Sequence, residues 1–175
     1  MVRTNLEVLL TEAPPFYSGY LRAVPEGDWV ELLTRQAETV RHHFVKFLPE
    51  QQIKGYAPGK WSPKELLGHL NDVERVFQYR MLALARADQS ALPGFDEDAY
   101  VLNGHFQQRS MEDLMDEFGV LRESTLFIVR NLQPSDWPRM GTANGNPVSL
   151  RALVAMTIGH VEHHLKVLGE RYPAG

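Results

Sequence analysis

Gly159-His160-Val161-Glu162-His163-His164 lies in the second half of a segment, 149 to 171, whose apolar residues recur at three- and four-residue steps. Leu150, Leu153, Thr157, His160, Val161, His164 and Leu168 form one stripe, which predicts an amphipathic α-helix opened by Ser149. Residues four apart stand about 6 Å from one another along a helix, so the rings of His160 and His164 can turn toward one point. Seven His in 175 residues give roughly 0.3 such pairs by composition alone, so the pair gains meaning only from its setting. That setting is the inward stripe, where two neutral imidazoles side by side are costly unless something ties their nitrogens together. A metal ion would do so. Glu162 lies about 200° round the helix from His160, which makes it a poor general base, and His163, about 60° away, flanks the site or reaches a subunit boundary.

Three further helices precede this one. The best-specified boundary is Trp61-Ser62-Pro63-Lys64-Glu65, where Ser62 as N-cap, Pro63 at the first helical position and Glu65 at the third make a capping box. Leu66, Leu70, Val73, Phe77, Met81 and Leu84 then mark a buried stripe over residues 62–86, with His69 on its flank. Ser110 opens a third helix, 110–131, on Met111, Leu114, Phe118, Leu121 and Thr125. Asp28 caps a first helix, 28–48, on Trp29, Leu32, Leu33, Gln36, Val40, Phe44 and Phe47. In that first helix His42 reads as solvated and His43 as a core-edge residue.

Residues 87–109 show no sustained period. A connection of about twenty residues far exceeds the two to eight usual between antiparallel neighbours, so it runs the length of the bundle and makes the second and third helices parallel. Its acids, Asp96-Glu97-Asp98, and His105 read as solvated loop groups. A second long connection holds Gly141-Thr142-Ala143-Asn144-Gly145-Asn146-Pro147, read as turn chemistry. Pro14-Pro15 breaks the N-terminal segment, 1–27, before Phe16, Tyr17 and Tyr20, an apolar cluster expected to pack as a lid over the core or as a subunit contact.

Composition narrows the chemistry. With 43% hydrophobic residues and no compositional break, the chain is expected to be one domain, 1–175. No run of eighteen apolar residues and no leader signature point to a membrane or to export, so a cytoplasmic location is expected. A net charge of −4 with scattered Lys and Arg lacks the basic footprint of nucleic-acid binding. Zero cysteines exclude thiolate metal sites and a Cys nucleophile, which leaves His and carboxylates as metal ligands. His69, His160 and His164 are then either three separately satisfied core histidines or a three-ligand site with an open position, the arrangement of a catalytic metal. Asp72, three residues after His69, is a weak candidate for a base beside such a site.

Several stretches together resemble the DinB/YfiT-like family: Trp61 to Leu70 followed by Glu74-Arg75, Gly94-Phe95-Asp96-Glu97-Asp98-Ala99-Tyr100, Gly141 to Gly145, and Gly159-His160 with His163-His164-Leu165. The similarity runs in order over roughly residues 25 to 172. It implies an all-α four-helix bundle of up-down-down-up type with long crossover loops, often dimeric. It also implies a divalent metal held by one His of the second helix and an H-x-x-x-H pair of the fourth, here His69, His160 and His164. Imidazole ligands suit zinc or nickel, and also iron or copper.

Characterised members of that family include metal-dependent thiol transferases, thiol-dependent isomerases and proteins assigned as hydrolases. The resemblance therefore implies transfer of a low-molecular-weight thiol, of bacillithiol type, to a small-molecule electrophile, the thiol coming from a cosubstrate because the chain has no Cys. Two alternatives stand beside it. One is a metal-dependent hydrolase using metal-bound water; the other is a non-catalytic, dimeric stress-response metal-binding or interaction module.

Overall fold

The computed structural model describes residues 5–172; the absence of a leader signature in residues 1–4 is a reading that lies outside them. Short helices α1 (Leu6–Thr11) and α2 (Ser18–Ala23) lead to α3 (Trp29–Phe44), α4 (Pro63–Ala85), the short α5 (Glu97–Asn103) and α6 (Met111–Arg130). A hairpin of β1 (Met140–Ala143) and β2 (Asn146–Ser149) then joins α7 (Leu150–Arg171).

The long helices α3, α4, α6 and α7 form the bundle, and their cross-contacts fix its directions. Asn71 meets Leu114 and Glu117, and Gln78 meets Leu121 and Thr125, so α4 and α6 run parallel. Arg41 pairs with Asp116 whereas Gln36 bonds Arg122, so α3 and α6 are antiparallel. Gln36 reaches Ile158 and Phe47 packs on Tyr172, which makes α3 parallel to α7. The order is up-down-down-up, and the twenty-residue crossover is what permits two successive helices to point the same way.

Local chemistry starts α4 as its sequence dictates. The Ser62 hydroxyl accepts from the Glu65 N–H at 3.4 Å while the Glu65 carboxylate accepts from the Ser62 N–H at 2.7 Å. Ser62→Ala removes the first of these bonds from a buried cap, and urea denaturation is expected to show a loss of about 1 kcal/mol. Leu66, Leu70, Val73, Phe77, Met81 and Leu84 are all buried.

Four features depart from the sequence reading. The first helix stops at Phe44 and not near residue 48, because the chain tightens there to fold Phe47 back beside Phe44 and Tyr172. On α6 Arg122 is fully buried, whereas its neighbour Leu121 is only half-buried. The crossover holds α5, capped by Asp96, and a 3-10 turn at Phe106–Gln108. Phe106 lies on Gly68 of α4, where any Cβ would come within 2.3 Å of its ring. Finally, residues 140–149 form an antiparallel hairpin whose turn places Asn144 at φ +51° and Gly145 at φ +73°, the left-handed pair that a tight hairpin needs. Leu92 bridges to this hairpin through the Thr142 carbonyl and the Asn144 N–H, so the two crossovers are tied together over one end of the bundle.

At the N-terminal side α2 lies against α7. The contact is close: a Cβ on Gly159 would stand 1.9 Å from the Tyr20 carbonyl oxygen. No helix among the described residues is long and apolar enough to cross a membrane.

Candidate metal centre

Two antiparallel helices bring the three imidazoles together. His69 projects from α4 and is 1% exposed; His160 projects from α7 and is 4% exposed; His164, one turn on, is half-buried. The Nε2 of His160 lies 3.0 Å from the Nε2 of His69 and 3.0 Å from that of His164. One ligand atom from each ring falls within 4.8 Å of the others, and among the described residues no other group of three His or acids does this.

Burial keeps the rings neutral. It pushes His69 down to about 4. His164 is pushed down to about 2 by burial and then by the neighbouring His69 and His163. His160 falls well below its ordinary value through burial and then the charges of His164, His69 and His163. Three neutral rings with their Nε2 atoms converging cannot satisfy one another, because a neutral ring has one N–H and a shared proton serves one pair only. Two nitrogens each about 2.1 Å from a common ion lie roughly 3.0–3.4 Å apart for ligand angles of about 90–110°, so the donor set and the 3.0 Å spacings fit a divalent metal.

The surroundings orient and cover the triad. Trp61 packs on His69 with centroids 4.7 Å apart, and Tyr20 of α2 meets His160 edge-on at 5.2 Å and His163 at 5.3 Å. Burial, with Glu97 and Tyr17 adding to it, pushes the Tyr20 hydroxyl up to about 12, so it stays protonated as a donor. Since Tyr20 is held against α7 by the bare Gly159, Gly159→Ala must push α2 away. Chemical denaturation is expected to read a loss of about 1–3 kcal/mol, the usual range for overpacking.

Other sequence candidates divide clearly. His163 is exposed and flanks the triad, with its ring 5.1 Å from His164. His42 is exposed; His43 is half-buried with Nδ1 2.8 Å from the Thr39 carbonyl; His105 is exposed at φ +52°. Glu162 is engaged elsewhere, accepting from Gln36 at 2.8 Å. Asp72 is half-buried on the α6 side of α4; burial raises its pKa, and its charged neighbours are Arg75, Glu117 and Arg109. It makes no hydrogen bond or ion pair with the triad among the described residues. The carboxylate that does approach is Glu97, at the start of α5, 3.9 Å from His69 Nε2. Its side chain is 58% exposed, yet burial and then Asp98 and Asp96 raise its pKa. Reading it as a solvated loop group missed this, and the one available signal was the Asp96 N-cap that announces a short helix.

Two cavities adjoin the triad. One, of about 140 Å³, is lined by His160 with Tyr17, Tyr20, Phe77, Arg80 and Glu97; the other, of about 390 Å³, by His164 with Tyr56, Lys60, Trp61, Asp98 and His163. The first turn of α5 borders both, giving Glu97 to one and Asp98 to the other.

Comparison with known proteins agrees with this architecture. YfiT from Bacillus subtilis, described as a probable metal-dependent hydrolase with an unusual four-helix bundle topology, superposes with a TM-score of 0.76 at 16% identity, over 81% of this chain and 82% of that one. A mycothiol-dependent maleylpyruvate isomerase superposes with a TM-score of 0.64 at 10% identity, over 88% of this chain and 63% of that one. The chain therefore spans less than two thirds of the isomerase, and at these identities both likenesses are of fold. No curated protein matches the sequence. A family model described as the DinB superfamily matches residues 32–168, and the chain belongs to that superfamily.

Proposed function

We propose that this protein is a metal-dependent enzyme that transfers a low-molecular-weight thiol, of bacillithiol type, to a small electrophile, with His69, His160 and His164 holding a zinc or nickel ion. The observation that carries the reading is the pair of cavities meeting at the triad. Hydrolysis needs room for one organic substrate and water, whereas transfer needs room for two organic molecules on either side of a common centre. A divalent ion on three imidazoles lowers the pKa of a thiol or water that reaches it, supplying a nucleophile near neutral pH.

The chain's own residues do the rest. Glu97, beside His69 and partly open to solvent, takes the S–H proton and passes it to water. The sulfur electron pair forms the new C–S bond, and the leaving group departs with its own pair, or the neighbouring carbon of an activated double bond takes a proton. Tyr20 and Trp61 cover the two rings that flank His164 and limit water at the reacting atoms. The fold neighbour that uses mycothiol supports a thiol cosubstrate, and a chain without Cys must obtain its sulfur from outside.

Metal-loaded protein incubated with bacillithiol, mycothiol or cysteine and a bimane or chloronitrobenzene electrophile is expected to form the thioether faster than buffer and faster than His164→Ala protein. A second reading, metal-dependent hydrolysis, is favoured by the same Glu97, which could equally take a proton from water. Turnover of esters or amides with no thiol-dependent conjugation would transfer the assignment to it.

A further inference from the structure

Among the described residues two arginines are almost wholly buried, Arg80 at 2% exposure and Arg122 at 0%. Arg122 has its counter-ion, Glu74, at 2.9 Å. Arg80 makes no ion pair among the described residues. One Nη donates to the Pro93 carbonyl at 2.8 Å, the guanidinium carbon lies 5.8 Å from the Phe77 ring centroid, and Nε is buried with no partner at all. A guanidinium stays charged in proteins, and a buried charge without compensation is costly. The cost has a direction, because Arg80 lines the 140 Å³ cavity together with His160.

The register of α4 places this charge at the site. Arg80 follows His69 by eleven residues, three turns, which returns it to the same face about 16 Å along the axis. Val73 and Phe77 fill the interval on that face, and Phe77 also packs on His160 with centroids 6.2 Å apart. Glu97, the other charged side chain of the wall, is turned to His69 and makes no ion pair with Arg80. Tyr17 is hydrogen-bonded to the Arg80 side chain, and the Arg80 charge together with that bond opposes the rise that burial imposes on its hydroxyl. The space is small beside the roughly 300–1,000 Å³ of drug-sized sites, which excludes a bulky acceptor.

We propose that Arg80 is a carboxylate-binding residue of the cavity beside His160, so that the acceptor this site takes is a small carboxylic acid. The inference rests on the reading that this cavity receives the acceptor. A carboxylate in the cavity would accept from the guanidinium Nη hydrogens that Pro93 and Tyr17 do not use, the charge-assisted pairing for which arginine is suited.

The test uses the full chain, metal-loaded and metal-free, with acrylate and its neutral isostere acrylamide as probes; a chain without Cys is not alkylated at a thiol by either. Acrylate is expected to bind saturably in both forms, to shift the Arg80 Nε–H resonance, and to bind at least about tenfold more tightly than acrylamide, as a charge-assisted pair requires. Arg80→Gln should remove that preference, and Arg80→Lys should keep part of it. Should Arg80→Gln fail to fold, the acrylate-to-acrylamide ratio and the Nε–H shift in the unsubstituted protein still decide. Equal affinity for the two probes, no binding of acrylate, or acrylate binding that needs the metal and survives Arg80→Gln would each overturn the proposal. Binding at Arg80 without any thiol conjugation would leave it standing and remove the transfer reading instead.

Discussion

His164→Ala protein is expected to purify with about a tenth or less of the divalent metal held by the unsubstituted protein, while its helical circular dichroism is retained. Two imidazoles cannot complete a site built on three, whereas Ala is a stronger helix former than His and leaves Val161, Leu165 and Leu168 to seat that end of α7. Equal metal in both proteins would remove the triad from the assignment. The metal-free protein carries a second signature. All three rings have folded-state values below the ordinary histidine value, so the unfolded chain binds more protons than the folded one as pH falls. Stability is therefore complete above about pH 6.5 and declines below it. For His69, pushed down to about 4, the decline runs between about pH 6.5 and 4 and amounts to about 3 kcal/mol. Urea titrations at pH 7.5, 6, 5 and 4 are expected to show that loss developing in metal-free protein and a smaller one in His164→Ala, which has one buried ring fewer. A flat profile would mean that the rings are not buried neutral.

What sequence could disclose here followed from how local each cause is. The start of α4 was legible because its capping box lies within Ser62-Pro63-Lys64-Glu65. The parallel pairing of α4 and α6 was legible because twenty residues are too many for a hairpin and enough for a crossover. His160 and His164 were legible because polar residues on an inward stripe stand out, and His69 because α4 carries the same stripe. Arg122 stayed hidden since its compensation comes from Glu74 and Gln36 on other helices, so an apolar-period reading preferred its neighbour Leu121. Glu97 and the hairpin stayed hidden for a related reason. Seven helical residues, or four in a strand, are too few to establish a period, and their positions are set by Phe106 on Gly68 and by Leu92 on the hairpin. Asp72 was named for its sequence proximity to His69, whereas the approach of Glu97 to within 3.9 Å of His69 depends on where α5 is docked.

The largest loss of stability is expected from Glu74→Leu. Arg122 sits at the bundle centre with one Nη donating to Glu74 at 2.9 Å and the other to Gln36 Oε1 at 2.7 Å, while Thr125 donates to the second Glu74 oxygen at 2.6 Å. Gln36 continues the chain to the Ile158 carbonyl at 2.9 Å, so one network ties α3, α4, α6 and α7 together. Removing the carboxylate leaves a fully buried guanidinium with no counter-ion and its Nε already unpaired, and a broken buried pair costs about 3–5 kcal/mol. That is a large share of the roughly 5–15 kcal/mol by which a domain is stable, so the denaturation midpoint should collapse. Adding Arg122→Met to Glu74→Leu removes the orphan charge and should restore most of the loss. The remainder is the cost of leaving Gln36 Oε1 without its donor, about 1–3 kcal/mol. Thr125 keeps a partner in the Leu121 carbonyl at 3.2 Å and adds nothing to that remainder. The network also bears on the site, because the Arg122 charge already acts on His160 to disfavour a second positive charge there. Without Glu74 that opposition is uncompensated, so any Glu74→Leu protein that folds should bind divalent metal more weakly, and the double variant should recover metal affinity along with stability. Recovery of stability without recovery of metal affinity would show that Glu74 acts on the site by some route other than the charge of Arg122.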